Sequence, residues 1–119
     1  MSLEILSVTG KGDLKEERIV LKAIANTNLS QYVLIDKTFD EEGHIANLGR
    51  HAYKFPNKTV AKDDLIILYT TSKPIGFVDE KAAANNVTWH FFYWGRKNTV
   101  WNQGGDTATL LRIIHSKAV

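Results

Sequence analysis

Residues 93–111 read YWGRKNTVWNQGGDTATLL. Two of the chain's three tryptophans, Trp94 and Trp101, sit here beside Gly104, Gly105 and Asp106. Paired glycines supply left-handed backbone at little steric cost. Asp106 and Asn102 are residue types that hydrogen-bond nearby amides in turns. An indole folded beneath such a turn buries roughly 150–250 Å². Trp94, Trp101, Asn102, Gly104, Gly105 and Asp106 are therefore expected to build a rigid corner between two strands. Past the corner, Thr107, Thr109, Leu111 and Ile113 share one face of a last strand, and Ala108, Leu110, Arg112 and Ile114 the other.

Working outward, short apolar runs alternate with turn residues. Leu3 to Val8 reads as a strand, and Gly10-Lys11-Gly12-Asp13 as a turn. In Arg18 to Ala25, Ile19, Leu21, Ala23 and Ala25 fall on one face, with Arg18 and Lys22 on the other. Asn26-Thr27-Asn28 breaks that run. Gln31 to Lys37, Ala52 to Phe55 (stopped by Pro56), Asp64 to Thr70 and Trp89 to Trp94 are further strands. Asp40 to Gly49 reads as a loop. Asp79 to Ala84 predicts a short helix capped by Asp79 and ended by Asn85-Asn86. Short strands with mostly short connections favour a β-sandwich or barrel.

The 119 residues fit one domain, 1–119, and a hydrophobic fraction of 44% with 24% charged is that of a globular chain. With no cysteine, disulfides and thiolate metal sites are excluded. A net charge of +2, with lysines scattered among acidic residues, lacks the clustering of a nucleic-acid surface. No run approaches the ~20 apolar residues of a membrane span. The opening MSLEILSVTG has no basic n-region and no apolar run long enough for a signal peptide, so localisation is left open between a bacterial cytoplasmic domain and one exported and trimmed.

Catalytic patterns are missing. There is no G-x-S-x-G elbow, and Gly10-Lys11-Gly12-Asp13 precedes a strand rather than the helix a phosphate loop requires. Asp63-Asp64 and Glu16-Glu17 are adjacent pairs, and neighbours on extended backbone point apart. His44 and His51, following Asp40, Glu41 and Glu42, match no closed metal-ligand spacing. Alternation sets His90 on the face opposite Trp89 and Phe91, where a satisfied or exposed strand histidine is favoured over a catalytic base, no serine or carboxylate being near in sequence. The aromatic set Trp89, Phe91, Phe92, Tyr93, Trp94 and Trp101 suits core and corner packing better than a stacking platform. Arg96 and Lys97 beside Trp101 form the one candidate ligand contact, for phosphate or a flat ring.

The blocks Tyr93-Trp94-Gly95-Arg96, Val100-Trp101-Asn102 and Gly104-Gly105-Asp106-Thr107-Ala108-Thr109-Leu110 resemble the C-terminal signature of the lamin tail domain. Asn26-Thr27-Asn28-Leu29-Ser30, Tyr53-Lys54-Phe55-Pro56 and Leu65 to Thr71 are similar to earlier parts of that family, in order. Gln31-Tyr32, the inserts at 40–49 and 72–87, and the continuation Arg112-Ile113-Ile114-His115 depart from its pattern. The resemblance implies an immunoglobulin-like β-sandwich of about seven to nine strands, to which the residues themselves add one short helix in the 79–86 insert. It also implies a non-catalytic interaction module without cofactors. Its expected partner is a protein, met on an edge strand or on the long inserts. Weak DNA association, or a carbohydrate or ligand-binding accessory role, is the alternative.

Overall fold

The computed structural model describes residues 1–37, 51–101 and 107–119. The strands are Leu3–Thr9 (β1), Arg18–Ala23 (β2), Thr27–Asn28 (β3), Tyr32–Lys37 (β4), Ala52–Lys54 (β5), Thr59–Val60 (β6), Leu65–Tyr69 (β7), Glu80–Ala82 (β8), Thr88–Tyr93 (β9) and Thr107–Arg112 (β10). They form a five-stranded sheet in the order β1-β2-β7-β9-β8, a three-stranded sheet β10-β4-β5, and the small pair β3-β6. The chain is an all-β sandwich.

Alternation supplies the core. Ile19, Leu21 and Ala23 of β2 are fully buried, as their spacing predicts, and Ala25 lies beyond the strand end. Leu3 of β1 and Ile66 and Leu68 of β7 join them from the same sheet. Facing them are Tyr32 and Leu34 of β4, with Ala108 and Leu110 of β10 packed against the cluster. Phe55, Val60, Val100 and Trp101 close the space between the sheets. Neighbours pair antiparallel except β7 and β9, which run parallel from Leu65↔Trp89 to Tyr69↔Tyr93. A parallel return needs a long crossover, and residues 70–87 provide it.

The expected helix at Asp79–Ala84 is a correction. Glu80–Ala82 is instead strand β8, paired antiparallel with β9 from Glu80↔His90 to Ala82↔Thr88. An isolated helix of six residues is unstable, whereas a strand gains ladder bonds at once. The Asp79 side chain meets Lys73 at 3.0 Å rather than capping a helix. Asn85 and Asn86 take φ of 63° and 62°, and Val87 N–H donates to Ala84 C=O at 3.4 Å. Two successive left-handed residues make a hairpin turn of the I′ kind. The asparagine pair read as a helix stop thus joins β8 to β9, with only a 3-10 turn at Ala84–Asn86. β3 and β6, two residues each, are too short to show a period in sequence.

The β1–β2 turn brings backbone close to backbone at Gly10. Gly10 has φ of +69°, and a Cβ there would stand 2.5 Å from the Glu16 carbonyl oxygen. Gly12 has φ of +83° with open space around it. Gly10→Ala is therefore expected to cost about 2–3 kcal/mol, and Gly12→Ala about 1 kcal/mol, since only the first adds a backbone clash to the left-handed strain. Urea denaturation of the two variants tests this, and equal losses would contradict it.

Candidate functional site

The turn matters because it delivers Glu17. This carboxylate is fully buried. Its Oε1 accepts from Thr70 Oγ1 at 2.7 Å, from Val100 N at 2.8 Å and from Trp101 N at 3.2 Å. Its Oε2 accepts from Gly12 N at 3.2 Å. One side chain thus binds the β1–β2 turn, the end of β7 and the segment carrying Trp101. Glu16, its neighbour, is exposed, as adjacent carboxylates on divergent directions should be.

Trp101 is 1% exposed and belongs to the core. Trp94 packs beside it at 6.4 Å and onto Tyr53 at 5.5 Å. Arg96 lays its guanidinium over Trp94, 5.8 Å from the ring centre, and its amide donates to Thr70 C=O at 2.9 Å. Lys97 is exposed. The structure therefore does not gather Arg96, Lys97 and Trp101 into an open site. The ligand-contact expectation for Trp101 is corrected, because its indole turns inward beneath the chain. Asn102, Gly104, Gly105 and Asp106 lie outside the described residues, as does the candidate metal loop with His44. His51 is described, and its Nδ1 lies 3.0 Å from buried Asp36 Oδ2. Among the described residues no group of three or more His, Asp or Glu is placed to hold a metal ion.

Folding brings His90 a carboxylate that sequence distance concealed. Its Nε2 lies 2.9 Å from Asp64 Oδ2, both residues being buried. Asp64 also accepts from Ala61 N and Thr88 N, each at 3.0 Å. Burial pushes the Asp64 carboxyl up, but the hydrogen bonds from His90, Thr88 and Ala61 outweigh it and hold it below the ordinary carboxylate value. On the far side, His90 Nδ1 lies 3.7 Å from Glu80 Oε1, and Glu80 is bound by Lys58 Nζ. The pair fastens the residue leading into β7 to β9, with both side chains 6% exposed. A depressed carboxyl stabilises the fold above its unfolded value, and that stability disappears as pH falls through the lower folded value. Urea titrations at neutral pH and near pH 3 are therefore expected to show a smaller acid loss for Asp64→Asn than for the parent chain. An equal acid loss would place the sensitivity elsewhere.

The aromatic strand splits by alternation. His90 and Phe92 of β9 face inward, Phe92 meeting Phe55 edge-on at 5.4 Å. Trp89, Phe91 and Tyr93 face outward with Leu65, Ile67 and Tyr69 of β7. Tyr69 and Tyr93 stack in near-parallel planes at 5.7 Å. Arg18 lies over Tyr69 and Lys81 over Trp89, 5.8 and 5.9 Å from the ring centres. The crossover adds more apolar surface. Ile75, Phe77 and Val78 are exposed, and Phe77 and Val78 line a cleft of about 230 Å³ with Tyr69, Phe91 and Tyr93. This outer face is the largest gathering of accessible rings among the described residues. Sequence reading assigned these rings mainly to packing, and the period-two pattern of Trp89 to Tyr93 was the signal that separates them.

No family model matches the chain, and neither a curated protein nor a solved structure matches it. Among the described residues, no helix is long and apolar enough to cross a membrane.

Proposed function

We propose that this domain is a non-catalytic interaction module that binds another protein through the outer face of its five-stranded sheet and the adjoining crossover. The observation that carries the reading is the outward row Tyr69, Trp89, Phe91 and Tyr93, extended by exposed Phe77. Aromatic residues with polar or charged neighbours are what protein contact surfaces concentrate. Accessible apolar surface gathered in one place marks such a site, where scattered residues do not. The likeness of the Tyr93–Leu110 region to the lamin tail domain supports the same reading, since that domain serves as an attached binding module. It also supports membership of that immunoglobulin-like family as part of the proposal.

Trp89 and Phe77 are 36% and 52% exposed, so replacing both with serine should leave stability within about 1 kcal/mol. Affinity capture from the native host with the parent chain and with the Trp89→Ser/Phe77→Ser variant, followed by a binding titration of the recovered partner, tests the proposal. The expected result is at least a tenfold weaker affinity at an unchanged melting temperature, or about 1.4 kcal/mol. A partner held equally by both proteins would move the contact elsewhere.

Arg18 and Lys81 over the rings favour one further reading, weak DNA association, which the sequence pI of about 8.9 also suits. Such binding would fall steeply as salt rises, whereas contact between apolar faces would not.

A further inference from the structure

The outer face ends at an unfinished edge. β8 covers β9 only from Thr88 to His90, and the last ladder contact on that side is Phe91 N–H donating to Asp79 C=O at 2.8 Å. The direction of the remaining backbone groups follows from parity. Trp94 N–H donates to Tyr69 C=O at 2.8 Å, so up to Trp94 the even positions bond β7 and the odd ones point away from it; beyond it the edge closes, Gly95 N–H donating to Thr71 C=O at 3.2 Å. Tyr93 is odd. Its N–H and C=O, with the C=O of Phe91, point to the side where β8 has stopped, and no described residue bonds them. A cleft of about 530 Å³ runs along this place, walled by Phe91, Phe92, Tyr93 and Gly95 on one side and by Tyr53 and Ser72 among others. Residues of both parities line it, as they must if the space follows a strand edge rather than a sheet face.

We propose that the free edge of β9 at Phe91–Tyr93 takes an extended, uncharged, apolar peptide of a partner protein as an added strand. The proposal rests on the interaction-module reading above and names its partner chemistry. Backbone groups of the incoming chain would pair with Tyr93 N–H and with the Phe91 and Tyr93 carbonyls, while alternate side chains fall to opposite faces. On the outer face they meet the cleft of Phe77, Phe91 and Tyr93; on the inner face they meet Tyr53 and Phe92. Charge decides the side-chain chemistry. Lys58 and Lys73 border the cleft, but Glu80 and Asp79 already bind them, so among the described residues lining it no unpaired cation is left to attract an acidic or phosphorylated chain. The other two edges of this sheet are blunted in ways edges usually are. β1 carries a bulge between Ile5 and Ser7, and β8 is three residues long with Glu80 and Lys81 on it.

The test uses the intact chain. Random linear peptides displayed on phage are selected against it, and the tightest is titrated into isotope-labelled protein while amide exchange is followed site by site. In the free protein Phe91 and Trp94 amides should be protected and the Tyr93 amide should exchange freely. Saturating peptide should slow Tyr93 exchange by about tenfold or more. Methylating alternate backbone nitrogens of the peptide should abolish binding in one register and spare it in the other. Strand addition fails, while the outer-face reading survives, if a peptide binds and perturbs Val20, Leu65 and Ile67 with the Tyr93 amide still open. It fails equally if no peptide is selected, or if Tyr93 is already protected in the free monomer. Protection that rises with protein concentration alone would give the edge to a second copy of this chain and overturn the peptide.

Discussion

Glu17→Ala is expected to remove about 3–5 kcal/mol of folding stability, a large part of the 5–15 kcal/mol a domain of this kind holds. The cost comes from what the carboxylate leaves behind. Thr70 Oγ1 and the amides of Val100 and Trp101 all donate to one buried oxygen, and the Gly12 amide to the other. A buried donor without its acceptor costs about 1–3 kcal/mol, partly relieved by any water that enters. Glu17→Gln keeps the volume and one acceptor, but turns an NH₂ toward an amide donor, so it should fall between parent and alanine. In a thermal melt the alanine variant should lose roughly 10–20 °C. A loss below about 1 kcal/mol would mean that the Val100–Trp101 segment and the β1–β2 turn keep their places without the carboxylate.

Trp101→Ala is expected to cost a similar amount, about 3–5 kcal/mol, because it removes the largest fully buried side chain and the surrounding sheets close the cavity only in part. Trp101→Phe should cost far less. The indole Nε1 is buried without a hydrogen-bond partner among the described residues, so phenylalanine forfeits area but no bond. Denaturation separates a structural indole from a binding one: a ligand-stacking tryptophan would leave stability near that of the parent when truncated. A Trp101→Ala variant as stable as the parent would contradict the inward placement.

Much of this arrangement was legible in the chain. Ile19, Leu21 and Ala23 advertise a half-buried strand by period alone, and the alternation that sets His90 opposite Trp89 and Phe91 holds in space. The bulk of Trp101 marked it for packing, and it is buried; the turn residues expected above it lie outside the described residues. Other features were hidden for physical reasons. Glu17 reads as half of an adjacent carboxylate pair flanked by Lys15 and Arg18, and its partners Val100 and Trp101 are 83 and 84 positions away. Asp64 reaches His90 across 26 positions, joined only because β7 and β9 are parallel neighbours. Glu80-Lys81-Ala82 carries helical propensity that the ladder to β9 overrides. The outer aromatic face needs the lateral order of β7 and β9, which no single strand's pattern contains.

The central claim is a division of rings: Trp101 holds the body together and Trp89 faces outward for contact. Acrylamide quenching of single-tryptophan chains measures it directly, with Trp89→Phe/Trp94→Phe leaving Trp101 and Trp94→Phe/Trp101→Phe leaving Trp89. Trp101 should emit at short wavelength and resist quenching, while Trp89 should emit at longer wavelength and be quenched readily. Equal quenching of the two, or a more accessible Trp101, would contradict the account.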